Sequence, residues 1–175
     1  LTAGSPESTA DEECGQKMLT VVLTDGEEEA FLSALQEAGW VAFLASEDLS
    51  SFSCCTGNVV YVAARTDCML TYDALLDAVL SPSVSKVTQD LKTLLRHITE
   101  QNLPYGGFVF DTALAAYVLR ATDSDYSLPT LSERYLGCSL DGAAAVAVLT
   151  PVLKEQLGQE QMTTLFEAIE MPLCR

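Results

Sequence analysis

The segment from Phe108 to Arg120 passes from an apolar strand into an apolar helix with one acidic residue between them. It reads FVF, then Asp111, then TALAAYVLR. Aromatic and β-branched residues favour a strand, whereas alanine and leucine favour a helix. A strand that leads directly into a helix is typical of layered folds in which the helix packs against the sheet. At this junction Asp111 is either the N-cap of the helix or a catalytic carboxylate, and the pattern alone leaves both interpretations open.

Strands and helices alternate in the rest of the chain as well. The hydrophobic patterns predict strands at 18–24, 40–46, 50–55, 58–64 and 86–89, and helices at 25–39, 71–81, 90–101, 141–157 and from about 159 to the end. The turn signal TGN predicts a β-hairpin. Asp25 and Thr71 are candidate N-caps, Ser127 or Thr130 starts a further helix, and Pro151 is expected to kink or break its helix. These elements predict an α/β fold, a mixed central sheet flanked by helices.

The charge balance limits the partners that this chain is expected to bind. With 25 acidic and 9 basic residues, the net charge is −16, and affinity for nucleic acid depends largely on Lys and Arg neutralising phosphates. The closest cluster of bases consists of Lys86, Lys92 and Arg96, and we interpret it as the solvated face of a helix.

Apolar residues make up 49% of the chain, which is typical of a packed globular domain. No apolar run approaches the roughly 18 residues of a membrane span.

The chain contains six cysteines without a C-x-x-C pair, and its single histidine is His97. A structural zinc site uses four Cys or His ligands at short spacings, so none is predicted. Cys54 and Cys55 are adjacent in a predicted strand and are interpreted as buried thiols. Disulfide frameworks belong to short secreted chains, so the pattern favours a reducing compartment, the cytoplasm. Residues 1–17 are rich in Ser, Thr, Glu, Gly and Pro, which predicts a linker or disordered tail.

Three successive motifs carry a resemblance to a known family. They are KVTQDLK from residue 86, GFVFDTALAAYVL from residue 107 and YSLPTLSERYLG from residue 126. Together they resemble the second half of the 3′–5′ exonuclease domain of bacterial family A DNA polymerases, the DNA polymerase I type. The resemblance covers residues 18–175, and the closing FEAIEMPL is similar to the start of the helix that leads into the polymerase domain. It implies a ribonuclease H-like fold and a piece of a longer polymerase.

Active proofreading members of that family hold two divalent metal ions with four carboxylates. Two such cations clamp the attacking and leaving oxygens of a phosphodiester, and they need several anionic oxygens around them. Matching the motifs places Leu44 and Ser46 at the first two acidic positions, Leu94 at the third and Ala145 at the fourth. Leucine and alanine offer no metal-ligating atom. The resemblance therefore implies no catalytic residue, no metal ligand and no cofactor in this chain.

Neighbouring polar residues are the alternative ligands. Glu47 and Asp48 follow the first motif strand, but a shift of one residue turns a strand side chain to the other face of the sheet. Asp90 is expected to cap the helix that it precedes. His97 lies on a predicted helix without an adjacent nucleophile signature, and is interpreted as a surface or boundary residue.

The central motif also has a structural interpretation. In the family pattern the aspartate of F-D-T is not a metal ligand, which implies that Asp111 caps helix 112–120, a contribution of about 1 kcal/mol. Tyr117, Tyr126 and Tyr135 are candidates for stacking on bases. The helical spacing of Tyr117 with its apolar neighbours favours a core position for this residue instead.

The resemblance implies a vestigial proofreading domain with a structural role in a DNA-directed DNA polymerase. DNA synthesis in replication and repair, with Mg²⁺ as cofactor, would be the reaction of the parent chain. The expected partners are the rest of that chain and, through it, DNA. The domain alone is expected to be a monomer that binds DNA weakly or not at all, in the bacterial cytoplasm and without a membrane. The alternatives are an active metal-dependent 3′–5′ exonuclease with relocated ligands and an acidic protein-interaction module.

Overall fold

Six strands form one mixed sheet in the computed structural model, which describes residues 17–173. The strands are β1 Leu19–Val22, β2 Val41–Ala45, β3 Ser51–Thr56, β4 Val59–Ala64, β5 Lys86–Thr88 and β6 Phe108–Asp111, in the spatial order β1-β4-β3-β2-β5-β6. β3 is antiparallel to β2 and β4, whereas β1–β4, β2–β5 and β5–β6 are parallel pairs. Apart from Lys17, the predicted tail lies outside the described residues.

Helices connect the strands and pack against the sheet. They are α1 Glu28–Glu37, α2 Tyr72–Leu80, α3 Leu91–Glu100, α4 Thr112–Leu119, α5 Leu128–Leu136, α6 Gly142–Gln159, α7 Thr163–Leu165, a π-helical turn Phe166–Glu170 and α8 Met171–Leu173. α6 packs against β2, β3 and β5, and contacts α4 and α5. Among residues 17–173, no helix is both long enough and apolar enough to cross a membrane. The predicted α/β architecture with a mixed sheet is confirmed.

The predicted apolar faces are the buried ones. In α3, Leu91, Leu94, Leu95 and Ile98 are buried, which is the spacing that a helix needs to cover a core with one side. The β3–β4 hairpin forms as predicted, with Thr56 paired to Val59 across the turn. β2 lies inside the sheet, where both faces are covered, and its first three residues are fully buried.

The predicted caps of the first two helices are wrong. Asp25 does not cap α1; its carboxylate accepts hydrogen bonds from the backbone N–H groups of Leu70 and Thr71 and from the Thr71 hydroxyl, at 2.9–3.3 Å. Thr71 precedes α2 but makes no side-chain cap of its own. β1 and β4 are parallel, so the loops that follow them are neighbours, and Asp25 reaches the N–H groups that lie ahead of α2.

The predicted solvated basic face is wrong at Lys86, which lies in β5 and is fully buried. Its ammonium group donates to the carbonyl oxygens of Ser81 at 3.0 Å and Val84 at 2.7 Å. It also lies 5.1 Å from the ring centroid of Phe108. Burial lowers the pKa of Lys86 to about 8. The Lys86 side chain therefore connects the turn after α2 to the sheet. Lys92 and Arg96, the two bases on α3, are exposed as predicted.

The predicted core position of Tyr117 is also wrong, since its side chain is 49% exposed. The buried residues of α4 are Thr112, Ala115 and Ala116. These side chains are small, and α4 contacts the alanine-rich α6, so close approach of the two helices decides which face of α4 turns inward. Tyr117 instead packs edge-on against Tyr126, with ring centroids 6.0 Å apart.

The helices near the C-terminal end differ from the prediction. α6 continues through Pro151 without a break, and the last helical segment begins at Thr163 instead of near residue 159.

The cysteines agree with the prediction in part. Cys54 and Cys55 are buried free thiols as predicted, and so is Cys68. Cys138 is disulfide-bonded, which differs from the expected reduced state because pairing depends on spatial proximity that spacing does not reveal.

Candidate functional site

Leu44 and Leu94, two of the residues that match acidic positions of the family pattern, lie close together at the sheet edge where the parallel strands β2 and β5 end. Leu44 and Leu94 line one depression of about 150 Å³, which we call the cleft. Polar side chains from the ends of both strands and from α3 complete its wall: Glu47, Thr88, Gln89, Asp90, Thr93 and His97. In open α/β sheets the carboxyl ends of the strands are the usual place for ligands.

The apolar residues at the expected ligand positions belong to the packed core. Leu94 is 7% exposed, and Leu44 is partly buried against the core. Ala145 is fully buried in α6, which lies against β2 and β5, and it is not among the residues that line the cleft. The structure thus brings two of the three apolar positions together in the wall of the cleft and places the third elsewhere in the core.

Ser46 and Asp48 form hydrogen bonds within the loop that follows β2. The Ser46 hydroxyl donates to Oδ1 of Asp48 at 2.8 Å and accepts from the Ser51 N–H at 3.1 Å. The same Asp48 oxygen accepts from the hydroxyl and the N–H of Ser50. These bonds, led by that of the Ser50 hydroxyl, lower the pKa of Asp48 to about 2. Asp48 therefore shapes the loop and does not line the cleft.

The remaining polar side chains of the cleft include two acids and a histidine. Asp90 is the N-cap of α3 and accepts from the Thr93 N–H at 3.3 Å, as predicted. Glu47 is exposed at the rim. Nε2 of the half-buried His97 lies 3.3 Å from a guanidinium nitrogen of Arg96. Within residues 17–173, no group of three His, Cys, Asp or Glu side chains lies close enough to hold a metal ion.

Asp111 has a larger structural role than the predicted cap. Oδ1 accepts from the N–H groups of Ala113 at 2.9 Å and Leu114 at 3.3 Å, which confirms that it caps α4. It also accepts from the N–H of Asp90 at 3.0 Å, while Oδ2 accepts from that of Leu91 at 2.8 Å. Asp111 is 3% exposed; burial raises its pKa, and the four N–H groups oppose that shift. One carboxylate therefore joins the first turns of α3 and α4.

A polar network that begins in the wall of the cleft, at Thr88 and Gln89, has no counterpart in the sequence-based predictions. The Gln89 amide donates to the carbonyl oxygen of Tyr126 at 2.6 Å and accepts from the Thr112 hydroxyl. That hydroxyl also contacts the carbonyl oxygen of Thr88 at 3.2 Å. The only signal for this network is the glutamine of KVTQ, a polar residue at the end of an apolar strand. It ties β5 to α4 and to the loop before α5.

Comparisons by sequence identify no relative: no family model and no curated protein matches this chain. Comparisons of structure do find neighbours. The POL domain of Pol1 from M. smegmatis, in complex with DNA primer-template and dNTP, superposes with a TM-score of 0.78 and 23% identity over 89% of this chain. This chain spans 30% of that polymerase chain.

Two exonuclease structures share the same fold at lower identity. The EXO domain of Aedes aegypti Nibbler has a TM-score of 0.64 and 16% identity over 90% of this chain and 95% of its own. RNase D of Escherichia coli, an exoribonuclease involved in structured RNA processing, has a TM-score of 0.66 and 16% identity over 90% of this chain and 50% of its own. The chain therefore has the ribonuclease H-like α/β fold of 3′–5′ exonuclease domains.

Proposed function

We propose that this chain is the 3′–5′ exonuclease-like domain of a bacterial family A DNA polymerase, with its nuclease site lost and its fold kept as a structural unit. The observation that carries the proposal is the pair Leu44 and Leu94, which line the cleft where carboxylates would have to stand. A two-metal mechanism needs anionic oxygens that bridge and flank both cations. Apolar side chains packed against the core cannot supply them.

The nearby acids do not replace the missing ligands. Asp48 is held in its loop by Ser46 and Ser50, and Asp90 caps α3. Glu47 then remains as the uncommitted acid of the cleft wall. A single carboxylate is too few for two divalent ions, so we assign no metal-dependent step to this domain.

The domain's role in the parent chain would be architectural. DNA synthesis, with Mg²⁺ bound elsewhere in the parent, is proposed as the reaction of the whole protein. The partner of this domain is the rest of that chain, and its charge of −16 disfavours DNA binding by the domain alone. We propose a monomer in the bacterial cytoplasm.

A metal titration and a cleavage assay test this proposal together. Isothermal titration of the purified chain with Mn²⁺ is expected to show no saturable binding. Incubation with 3′-labelled single-stranded DNA in Mg²⁺ or Mn²⁺ is expected to release no nucleotide above the rate in EDTA. Metal-dependent release of 3′ nucleotides would contradict the proposal.

An active exonuclease with relocated ligands is the second candidate, because Glu47 and Asp90 line the same cleft. If that candidate holds, Glu47→Gln abolishes any metal-dependent cleavage. Asp77→Asn is the matched control, since Asp77 is an exposed acid on α2 and does not line the cleft. Cleavage that survives Asp77→Asn but not Glu47→Gln would establish the second candidate and overturn the first.

A further inference from the structure

A second depression lies at the opposite end of β2 from the cleft. It is bounded by the α1–β2 connection, the β3–β4 turn and α6, and its volume is about 380 Å³. Small-molecule sites are typically roughly 300–1,000 Å³. Its wall includes Met18, Trp40, Ala147, Val148 and Pro151, and we call it the Trp40 groove. Because β2 separates it from the cleft, this groove is independent of the function proposed above.

Pro151 leaves a hydrogen-bond acceptor without its usual partner at this groove. α6 is helical through Pro151, but proline has no N–H to donate to the carbonyl four residues earlier. That carbonyl belongs to Ala147, a half-buried residue that lines the groove together with Pro151. A carbonyl in such a place is stabilised by a bound group that donates an N–H or O–H to it.

The remaining wall selects an uncharged, flat ligand. None of the described residues that line the groove carries a charged side chain, so a phosphate or carboxylate finds no Lys or Arg there. Trp40 is the only tryptophan of the chain, and 36% of it is exposed. Its indole ring provides a face for offset stacking with another aromatic ring.

We propose that the Trp40 groove binds an uncharged planar heterocycle with an N–H donor, the chemistry of a nucleobase. The ring stacks on Trp40, and its N–H donates to the Ala147 carbonyl that Pro151 leaves open. The ligand contacts the apolar side chains of Met18 and Val148 at its edges. No covalent step is involved.

The single tryptophan makes the proposal measurable in the whole chain. Titration with 9-methyladenine is expected to change the Trp40 fluorescence saturably. N6,N6,9-trimethyladenine has the same ring but no N–H, so we expect it to bind about fivefold more weakly, the loss of one neutral hydrogen bond. Equal affinity for the two compounds, or a change that never saturates, would overturn the proposal.

Three variants separate binding from folding. Gly39→Leu adds a side chain to the wall of the groove, and a Cβ at Gly39 meets no atom within 4 Å, so this variant should fold and should not bind. Gly158→Leu is the matched control, since Gly158 has equal space on the exposed side of α6, and it should bind as the parent does. Pro151→Ala restores the N–H to Ala147 and should weaken binding about fivefold. Ligand-observed NMR reports binding independently of Trp40, and unchanged binding in Gly39→Leu would refute the assignment.

The source of the base is tested with a single-stranded oligo(dA). The described residues that line the groove include no base, and the net charge of the chain is −16, so we expect that free 9-methyladenine binds and that the oligonucleotide does not. Tighter binding of the oligonucleotide than of the free base would show that phosphates contribute, and would overturn the assignment to an uncharged ligand.

Discussion

Replacing Asp111 tests whether one buried carboxylate supports two helices. Its oxygens accept from four backbone N–H groups, those of Ala113 and Leu114 in α4 and those of Asp90 and Leu91 at the start of α3. A cap alone contributes about 1 kcal/mol. A buried donor left unsatisfied costs about 1–3 kcal/mol, and the Leu91 N–H is such a donor.

The expected destabilisation by Asp111→Ala is therefore about 3 kcal/mol, after allowing for the relief of burying a charge. Asp111→Asn keeps one acceptor oxygen but turns an NH₂ group towards a backbone N–H. We therefore expect it to lower the free energy of unfolding by about 2 kcal/mol. Both values come from equilibrium unfolding in urea, followed by circular dichroism, with the same slope on denaturant as the parent. Neither change touches a group to which we assign chemistry.

Asp141→Ala is the matched control for these variants. Asp141 also caps a helix, but it is exposed, and among residues 17–173 it accepts only from the N–H of Gly142, at 2.8 Å. Its replacement should cost at most about 1 kcal/mol. If Asp111→Ala costs no more than Asp141→Ala, then the bonds to α3 contribute nothing and the reasoning is wrong.

Other predictions concern buried positions near the cleft and near β5. Leu94→Asp, which places an acid at the third acidic position of the family that the sequence resembles, should lower the free energy of unfolding by about 3 kcal/mol at neutral pH and by less at pH 4, because the site is core and tolerates only the neutral acid. Urea unfolding at the two pH values measures this. Because burial lowers the pKa of Lys86 from 10.5 to about 8, the unfolded chain holds a proton that the folded chain has released between these values, so Lys86 makes stability rise with pH across this window. Lys86→Met should flatten that rise, as seen in unfolding curves at pH 8 and 10. Gly107→Ala should lose at least about 2 kcal/mol of stability, since Gly107 has φ +72° and a Cβ there would lie 2.2 Å from the Val84 carbonyl oxygen; thermal unfolding reports this loss.

The layers of the fold could be predicted from periodicity, while the polar contacts could not. The stripe of α3 and the hairpin at Thr56 and Val59 follow from patterns within a few residues of each other. Asp25 bonds to Leu70 and Thr71 across 45 and 46 residues, a pairing that depends on β1 lying beside β4. Local helix-capping rules consider only the nearest helix, so they cannot predict this pairing.

The location of the candidate site could be predicted from the sequence, because the motif comparison identified the residues that match the acidic positions of the family pattern. Two of these residues, Leu44 and Leu94, line the same cleft in the structure. It could not show that Asp48 is held by its own loop, since this depends on a turn geometry that places Ser46 and Ser50 around one oxygen. Side-chain size also outweighed periodicity in α4, where the alanines turned inward and Tyr117 outward.

Strand β5 is only three residues long, and the side chains of KVTQ engage the backbone around it. Lys86 donates to two carbonyls, Thr88 to that of Phe43 at 2.7 Å, and Gln89 to that of Tyr126. Replacing Lys86, Thr88 or Gln89 would remove a hydrogen-bond donor from at least one of these carbonyls, whether or not the protein cleaves a phosphodiester. These contacts would hold the fold together even if the nuclease site has been lost, as we propose. The KVTQ segment of this chain therefore serves the assembly of the fold, and its presence carries no information about nuclease activity.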